Sequence, residues 1–485
     1  MADAASVNKK TVTYYINSFI AVAFMFGFQY LPPIAPLTAL GMSILGIFIG
    51  VIYAWSAVGI IWPALVGLIA LGFTGYMTVP EAFQSGYGGD TYLFVFFILI
   101  FAAIIDKAGV TDYIANWVVS RKFSQGRPWA LTLLLLSAAY IVAALVSVTP
   151  AIIICWDILY KLCKVFGYTN KDKYPKLMVV GITFAGLMGH AALPYKVMAV
   201  ILTGVYTTQT GQTIDFVKFT VLAAAIGYSA VLTYVLMCKF IFRPDVSKIA
   251  NSDFVYTSTL QLTAYQKQVV GLLAALIVFL FLPGILPEKF WLATFLKQLG
   301  NTGIVVALLA FAALLKKKDS TSFVNFVELI RTGVPWPNLF LLSTALPLAG
   351  AMTSSDTGIK ELFVQLLNPF LTAHVGPILF IIFMFAASVV LTSFMGDVVI
   401  GLILVPLVCT YAPLIGVSSA MMTVALCVSC LMGIVLPAAS PIAALLHGNT
   451  EWVTSKDVYK YTSALVVSSS LIGAVICLTL GNLVF

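Results

Sequence analysis

The chain is built from long runs of apolar residues that do not alternate. YLFVFFILIFAAII from Tyr92 and TLLLLSAAYIVAALV from Thr132 are apolar on every face. A β-barrel strand would alternate between a lipid face and a lumen face, so these runs predict helices. In hydrocarbon an unpaired backbone group costs several kcal/mol, and a helix satisfies its own backbone. A length of 485 residues corresponds to about three soluble domains. Hydrophobic residues make up 61% and charged residues 9%, whereas soluble proteins carry roughly 25% charged. No globule of this size has the interior to hide that much apolar surface. The expected fold class is therefore an all-α polytopic membrane protein, integral to the plasma (inner) membrane and in contact with lipid.

Apolar runs of spanning length fall at 15–32, 37–55, 57–77, 91–107, 177–204 and 217–238, then at 268–284, 302–316, 338–354, 416–447 and 461–483. These give about 11 transmembrane helices. Two further apolar regions, 128–160 and 375–410, are interrupted in the middle and are expected to be re-entrant hairpins. MADAASVNKK is followed by an apolar run without a small-residue cleavage site, which reads as an uncleaved first span.

The net charge of +8 comes from lysines and arginines in short loops between the runs. There they set orientation, so nucleic acid is not an expected partner. Lys9 and Lys10 place the N-terminus in the cytoplasm. Arg121, Lys122 and Arg127 precede the first hairpin and Lys161, Lys164, Lys171, Lys173 and Lys176 follow it, so both its ends face inward. Between Lys360 and Lys456 there is neither Lys nor Arg, so both ends of the second hairpin face outward. Lys239, Arg243, Lys248 and Lys316–Lys318 then fall inside, and the C-terminus falls outside.

The halves resemble one another at a separation of about 247 residues. Leu93-Phe94 matches Leu339-Phe340, Ser147-Val148-Thr149-Pro150 matches the stretch near Gly396, and Pro194 matches Pro441. Opposite sidedness makes these inverted-topology repeats. The chain divides into an N-terminal segment with the first span (1–36), repeat 1 (37–250), a cytoplasmic linker (251–267) and repeat 2 (268–485). Inverted repeats with broken helices place a substrate site where the repeats meet, which is secondary-transporter architecture.

The breaks carry the chemistry. Thr149 can cap a helix with Pro150 at its first position, turning free N–H groups and a positive dipole end toward an anion. The alternative is a simple hairpin turn. Asp397 is the sole acid between Glu361 and Glu451. An intramembrane carboxylate suggests coupling or substrate binding, with a helix cap as the structural alternative. In the break from Gly189 to Lys196, His190 is a proton-relay candidate or a hydrogen-bonded structural residue. Lys196 either pairs with Asp397, attracts an anion or snorkels to the interface. Ser440 can cap a helix with Pro441 at its first position. Asp157 and Lys161 read as an i,i+4 ion pair, and Asp106-Lys107 as an interfacial span end. Cys427-x-x-Cys430 reads as core packing rather than metal or redox chemistry.

PEAFQSGYGGDTYLF from Pro80, AAIIDKAGVTDYIANWVV from Ala102 and LPAASPIAALLHGNTEW from Leu436 resemble the divalent anion/sodium symporter family over nearly the whole chain. The resemblance implies inverted repeats, each with a hairpin tipped by Ser-Asn-Thr, a homodimer, and an elevator motion of the hairpin-bearing domain. Carried onto this sequence, it implies substrate binding at Ser147, Val148, Thr149, Gly396, Asp397, Val398, Ser440, Pro441 and Pro194. Ion coupling falls to Ser147, Asp397, Ala439 and His190, with sodium at Asp397 and Ala439. The motifs depart from the family's: Val148 stands for Asn, Gly396-Asp397-Val398 keeps none of the three, and Leu193-Pro194 has lost a hydroxyl. The expected function is secondary active transport of a small di- or tricarboxylate, Na⁺- or H⁺-coupled and without a cofactor. The alternatives are a cation/proton antiporter and an uncoupled anion exchanger. No nucleotide loop or metal-spaced His cluster suggests an enzyme.

Overall fold

The computed structural model describes residues 2–120, 126–250, 261–287, 289–316, 322–359, 361–362, 365, 376–437 and 439–485. Arg121, Lys122, Lys317, Lys318, Lys360, residue 375 of the second hairpin and most of the expected linker lie outside them. Among the described residues there is no β-strand. Eight helices are long and apolar enough to cross a bilayer. A ninth joins them if Val79–Gly88 and Asp90–Lys107, bent by 45°, form one span. Two of the eight, Pro128–Leu145 and Pro377–Phe394, are first arms of the expected hairpins, so six of the eleven apolar runs are among them; of the other five, two are split. Run 177–204 becomes Lys173–Ala191 and Val197–Thr210, and run 416–447 becomes Ser419–Cys430 and Pro441–Gly448. Proline lacks the amide donor that a continuing helix needs, and Pro194 and Pro441 stand in or at the end of these breaks.

The outer helices show why lipid is the solvent. Only 28% of the apolar window in Ala264–Ile285 is buried, and Val278 and Ile285 are exposed. Inside, small residues let helices approach closely, as is usual where lipid supplies no hydrophobic drive between helices. Gly189 seats Lys173–Ala191 on the Tyr140 backbone of Pro128–Leu145, Gly181 seats it on the Tyr234 ring, and Gly401 abuts Leu202.

The first interrupted region forms helices Pro128–Leu145 and Val148–Phe166, and the second forms Pro377–Phe394 and Asp397–Tyr411. In each case a short turn joins two helices that pack on one another. Apart from the helix Val110–Val119, which in the first half stands between span and hairpin, the described elements follow the same order in both halves: a short helix, a span, a hairpin, a broken helix and a span. It runs from Val79 to Met237 and from Phe326 to Ile476. The halves interlock. Val197–Thr210 packs on Asp397–Tyr411 and Ser419–Cys430, and Phe216–Met237 packs on Ser455–Ile476.

A polar seam ties the outgoing arm of the first hairpin, and the chain just after it, to the second half. The Tyr160 ring stacks on Trp452 at 4.6 Å, and the Asn449 amide donates to Tyr160 Oη at 2.6 Å. Asn170 donates to the Glu451 carbonyl at 3.0 Å, and Lys176 pairs with Asp457 at 2.9 Å. Asp457 also closes a capping box with Thr454 at the start of Ser455–Ile476. The Asp157–Lys161 pair forms as expected, at 2.6 Å and largely exposed. Cys427 and Cys430 are buried free thiols.

Candidate functional site

Both hairpin tips and both helix breaks open onto one cavity of about 550 Å³. A helix N-terminus presents N–H groups with no partner inside the helix and the positive end of its dipole. Among the described residues, five such N-termini line this cavity; that of Trp336–Thr353 does so through Pro335 and Asn338. Ser147–Thr149 begin Val148–Phe166, Lys196–Met198 begin Val197–Thr210, Asp397 and Val398 begin Asp397–Tyr411, and Ser440–Ile442 begin Pro441–Gly448.

The first tip starts earlier than the sequence suggested. Ser147, not Thr149, is the cap residue, with extended backbone, and its hydroxyl makes no cap bond. Pro150 therefore occupies the third helical position. Its missing donor is still one of the first-turn groups without a helical partner, so the helix accepts it. The Ser147 and Thr149 hydroxyls thus stay available to the cavity. At the second tip the cap residue is Gly396, and Asp397 takes the first helical position. Its Oδ1 accepts the Val398 N–H at 2.8 Å, so the carboxylate serves the first turn without being the cap residue itself. It also faces the cavity.

Ser440 caps its helix as its position before Pro441 suggested, accepting the Ala443 N–H at 3.1 Å. Ser440→Ala is expected to lower stability by about 1 kcal/mol, with Ser440→Thr recovering most of it. Equal thermal midpoints for all three proteins would show that the cap contributes nothing.

Lys196 does not snorkel. It is 7% exposed, and its ammonium donates to the Val146 carbonyl at the first tip, 2.8 Å away. No carboxylate of the described residues, Asp397 included, lies within 4.0 Å of it. His190 lines the cavity too, with a buried Nδ1 that has no hydrogen-bond partner among the described residues. Pro194, Gly396 and Ala439 are not in the cavity wall: each is the chain neighbour of, or one residue from, a residue that is.

Two wall residues were not singled out from the sequence. Asp106 was read as interfacial, yet it faces the cavity from the end of Asp90–Lys107, where the face from Ile98 to Ile105 continues the wall. Its neighbour Lys107 turns the other way, to Glu328 at 2.7 Å. Asn338 enters from the second half, at the start of Trp336–Thr353. The available signal was the same for both: a polar group at the end of an otherwise apolar run. The remaining wall is largely apolar, with Leu99, Phe101, Leu187 and Leu276 among its residues. Apolar walls with few polar groups are usual for small-molecule sites of this size.

The citrate transporter family profile matches residues 48–431. The chain belongs to the citrate transporter family. As a member it is an integral membrane transporter rather than an enzyme. Its fold is similar to that of the YdaH transporter of Alcanivorax borkumensis, with 13% identity and a TM-score of 0.59 over 83% of this chain and 87% of that one. It is also similar to MtrF of Neisseria gonorrhoeae, described as illuminating a class of antimetabolite efflux pumps. There the identity is 12% and the TM-score 0.58, over 96% of this chain and 94% of that one. At such identities the likeness speaks for fold alone. No curated protein sequence matches this citrate transporter family member.

Proposed function

We propose that this protein is a secondary active transporter of a small di- or tricarboxylate of the citrate class, coupled to Na⁺ or H⁺ through Asp397. The observation that carries the reading is the meeting of five helix N-termini, two from the first half and three from the second, at one cavity. Their partial positive ends and unpartnered N–H groups suit an anion. A cation/proton antiporter would have no use for such a concentration of donors, so the anion reading is preferred. The order of elements shared by the halves supports inverted repeats and, with them, alternating access by an elevator motion of the hairpin-bearing body. A homodimer in the plasma membrane, with the N-terminus cytoplasmic and the C-terminus outside, completes the reading.

Coupling follows from electrostatics. An ionised Asp397 about 4 Å from a substrate carboxylate would cost about 4 kcal/mol at an effective dielectric of 20. A proton or a sodium ion at Asp397 removes that cost, so anion and cation bind better together than apart. Ala439, expected with Asp397 to hold sodium, stands one residue from the wall, and Ser147, expected in ion coupling, stands in it. The test is uptake of labelled citrate by proteoliposomes under imposed sodium or pH gradients. Accumulation driven by one gradient is expected. Citrate uptake that ignores both gradients would leave an exchanger, and no uptake of citrate or related carboxylates would overturn the reading.

A further inference from the structure

We propose that Lys196 bridges the transported anion to the tip of the first hairpin, so that substrate charge holds that tip in place. The inference rests on the carboxylate reading of the cavity and adds a residue and a linkage to it. Lys196 sits in an unfavourable place for a cation: at the cap position of Val197–Thr210, beside the positive end of the helix dipole. It is also 7% exposed. A buried ammonium is normally paired, yet Asp106, Asp397 and every other carboxylate of the described residues stay beyond 4.0 Å. The Tyr195 ring lies 5.4 Å from the ammonium, which softens but does not neutralise the charge.

An ammonium has three donors. One goes to the Val146 carbonyl, the residue that precedes Ser147 at the first tip. The others have no acceptor among the described residues, and the side chain lines the cavity. A substrate carboxylate can therefore take them without breaking the bond to Val146. The anion, Lys196 and the tip then form one chain of charge-assisted hydrogen bonds. Stability alone gives no reason for a lysine here, and methionine would pack equally well in such walls. The linkage gives the reason: an anion that takes the remaining donors is tied through Lys196 to the tip and adds its restraint to the bond already made to Val146.

The test uses detergent-purified full-length protein and citrate. Citrate affinity is read from the thermal shift, and tip ordering from amide hydrogen exchange of the peptide around 146–152. In the wild type, citrate is expected to slow exchange at the tip. Lys196→Met should weaken citrate binding about tenfold or more and abolish the protection even when citrate is raised to saturation. Lys196→Arg should restore part of both. Citrate binding without tip protection in the wild type overturns the bridge, whether or not the variants fold. A Lys196→Met protein that binds within about threefold of wild type and keeps its protection overturns it also. A wild type that binds no carboxylate overturns the functional reading, and the bridge with it.

Discussion

Asp397→Asn is expected to leave the protein folded while abolishing gradient-driven accumulation of citrate. Asn keeps the side-chain oxygen that accepts the Val398 N–H, and the cap residue, Gly396, is untouched, so stability should change by less than about 1 kcal/mol. What disappears is the charge that must be matched by a proton or a sodium ion. In proteoliposomes the variant should accumulate citrate at least about tenfold less than wild type under the driving gradient, yet still exchange internal for external citrate. Unchanged accumulation would remove Asp397 from the coupling scheme. A variant that does not fold would make the carboxylate a structural part of the first turn, and Asp397→Ser, an acceptor without charge, would then show whether coupling is lost separately.

The second large effect concerns packing. Gly189→Ala places a Cβ against the Tyr140 backbone, where neither partner can yield by a side-chain rotation. Overpacking of this kind costs about 3 kcal/mol, and the β-branched Gly189→Val should cost more. Because Gly189 immediately precedes His190 and the break that carries Lys196, the variant should lose citrate uptake along with stability. Gly271 provides the control: it lies in Ala264–Ile285 with open space where a Cβ would go. Gly271→Ala should raise stability by up to about 1 kcal/mol through helix propensity alone. The comparison is read from thermal midpoints in detergent. Equal midpoints for Gly189→Ala and wild type would mean that the hairpin and broken helix are not packed this closely.

The class of fold was legible in the apolar runs because hydrocarbon leaves the backbone few choices. The breaks were legible for the same reason: Pro150, Pro194 and Pro441 stand out in a helical context. Asp397 and Ser440 could be found because a polar group in an apolar run is conspicuous. Exact cap positions were less accessible. Helix initiation at Ser147 rather than Thr149 depends on where the turn from Leu145 places the chain, and nothing in the local residues sets that. Asp106 illustrates the same limit at longer range. Position alone puts it at a span end, and only the packing of Asp90–Lys107 against Val197–Thr210, Trp291–Leu314 and Phe326–Gly333 turns it to the cavity. The fate of Lys196 was likewise not readable locally, since its partner, Val146, is 50 residues away.

The polar seam at Tyr160, Asn170, Lys176 and their partners from Asn449 to Asp457 limits the freedom of the first hairpin. There the ring stack and one hydrogen bond hold the outgoing arm itself through Tyr160, while Asn170 holds the loop after it and Lys176 the start of Lys173–Ala191. At the opposite end the Lys196 ammonium donates to the Val146 carbonyl and Tyr195 Oη to the Ala144 carbonyl at 3.4 Å. Both ends of the first hairpin are thus tied to other elements, so any displacement of it as a body would either carry the segment from Asn449 to Asp457 with it or part these contacts.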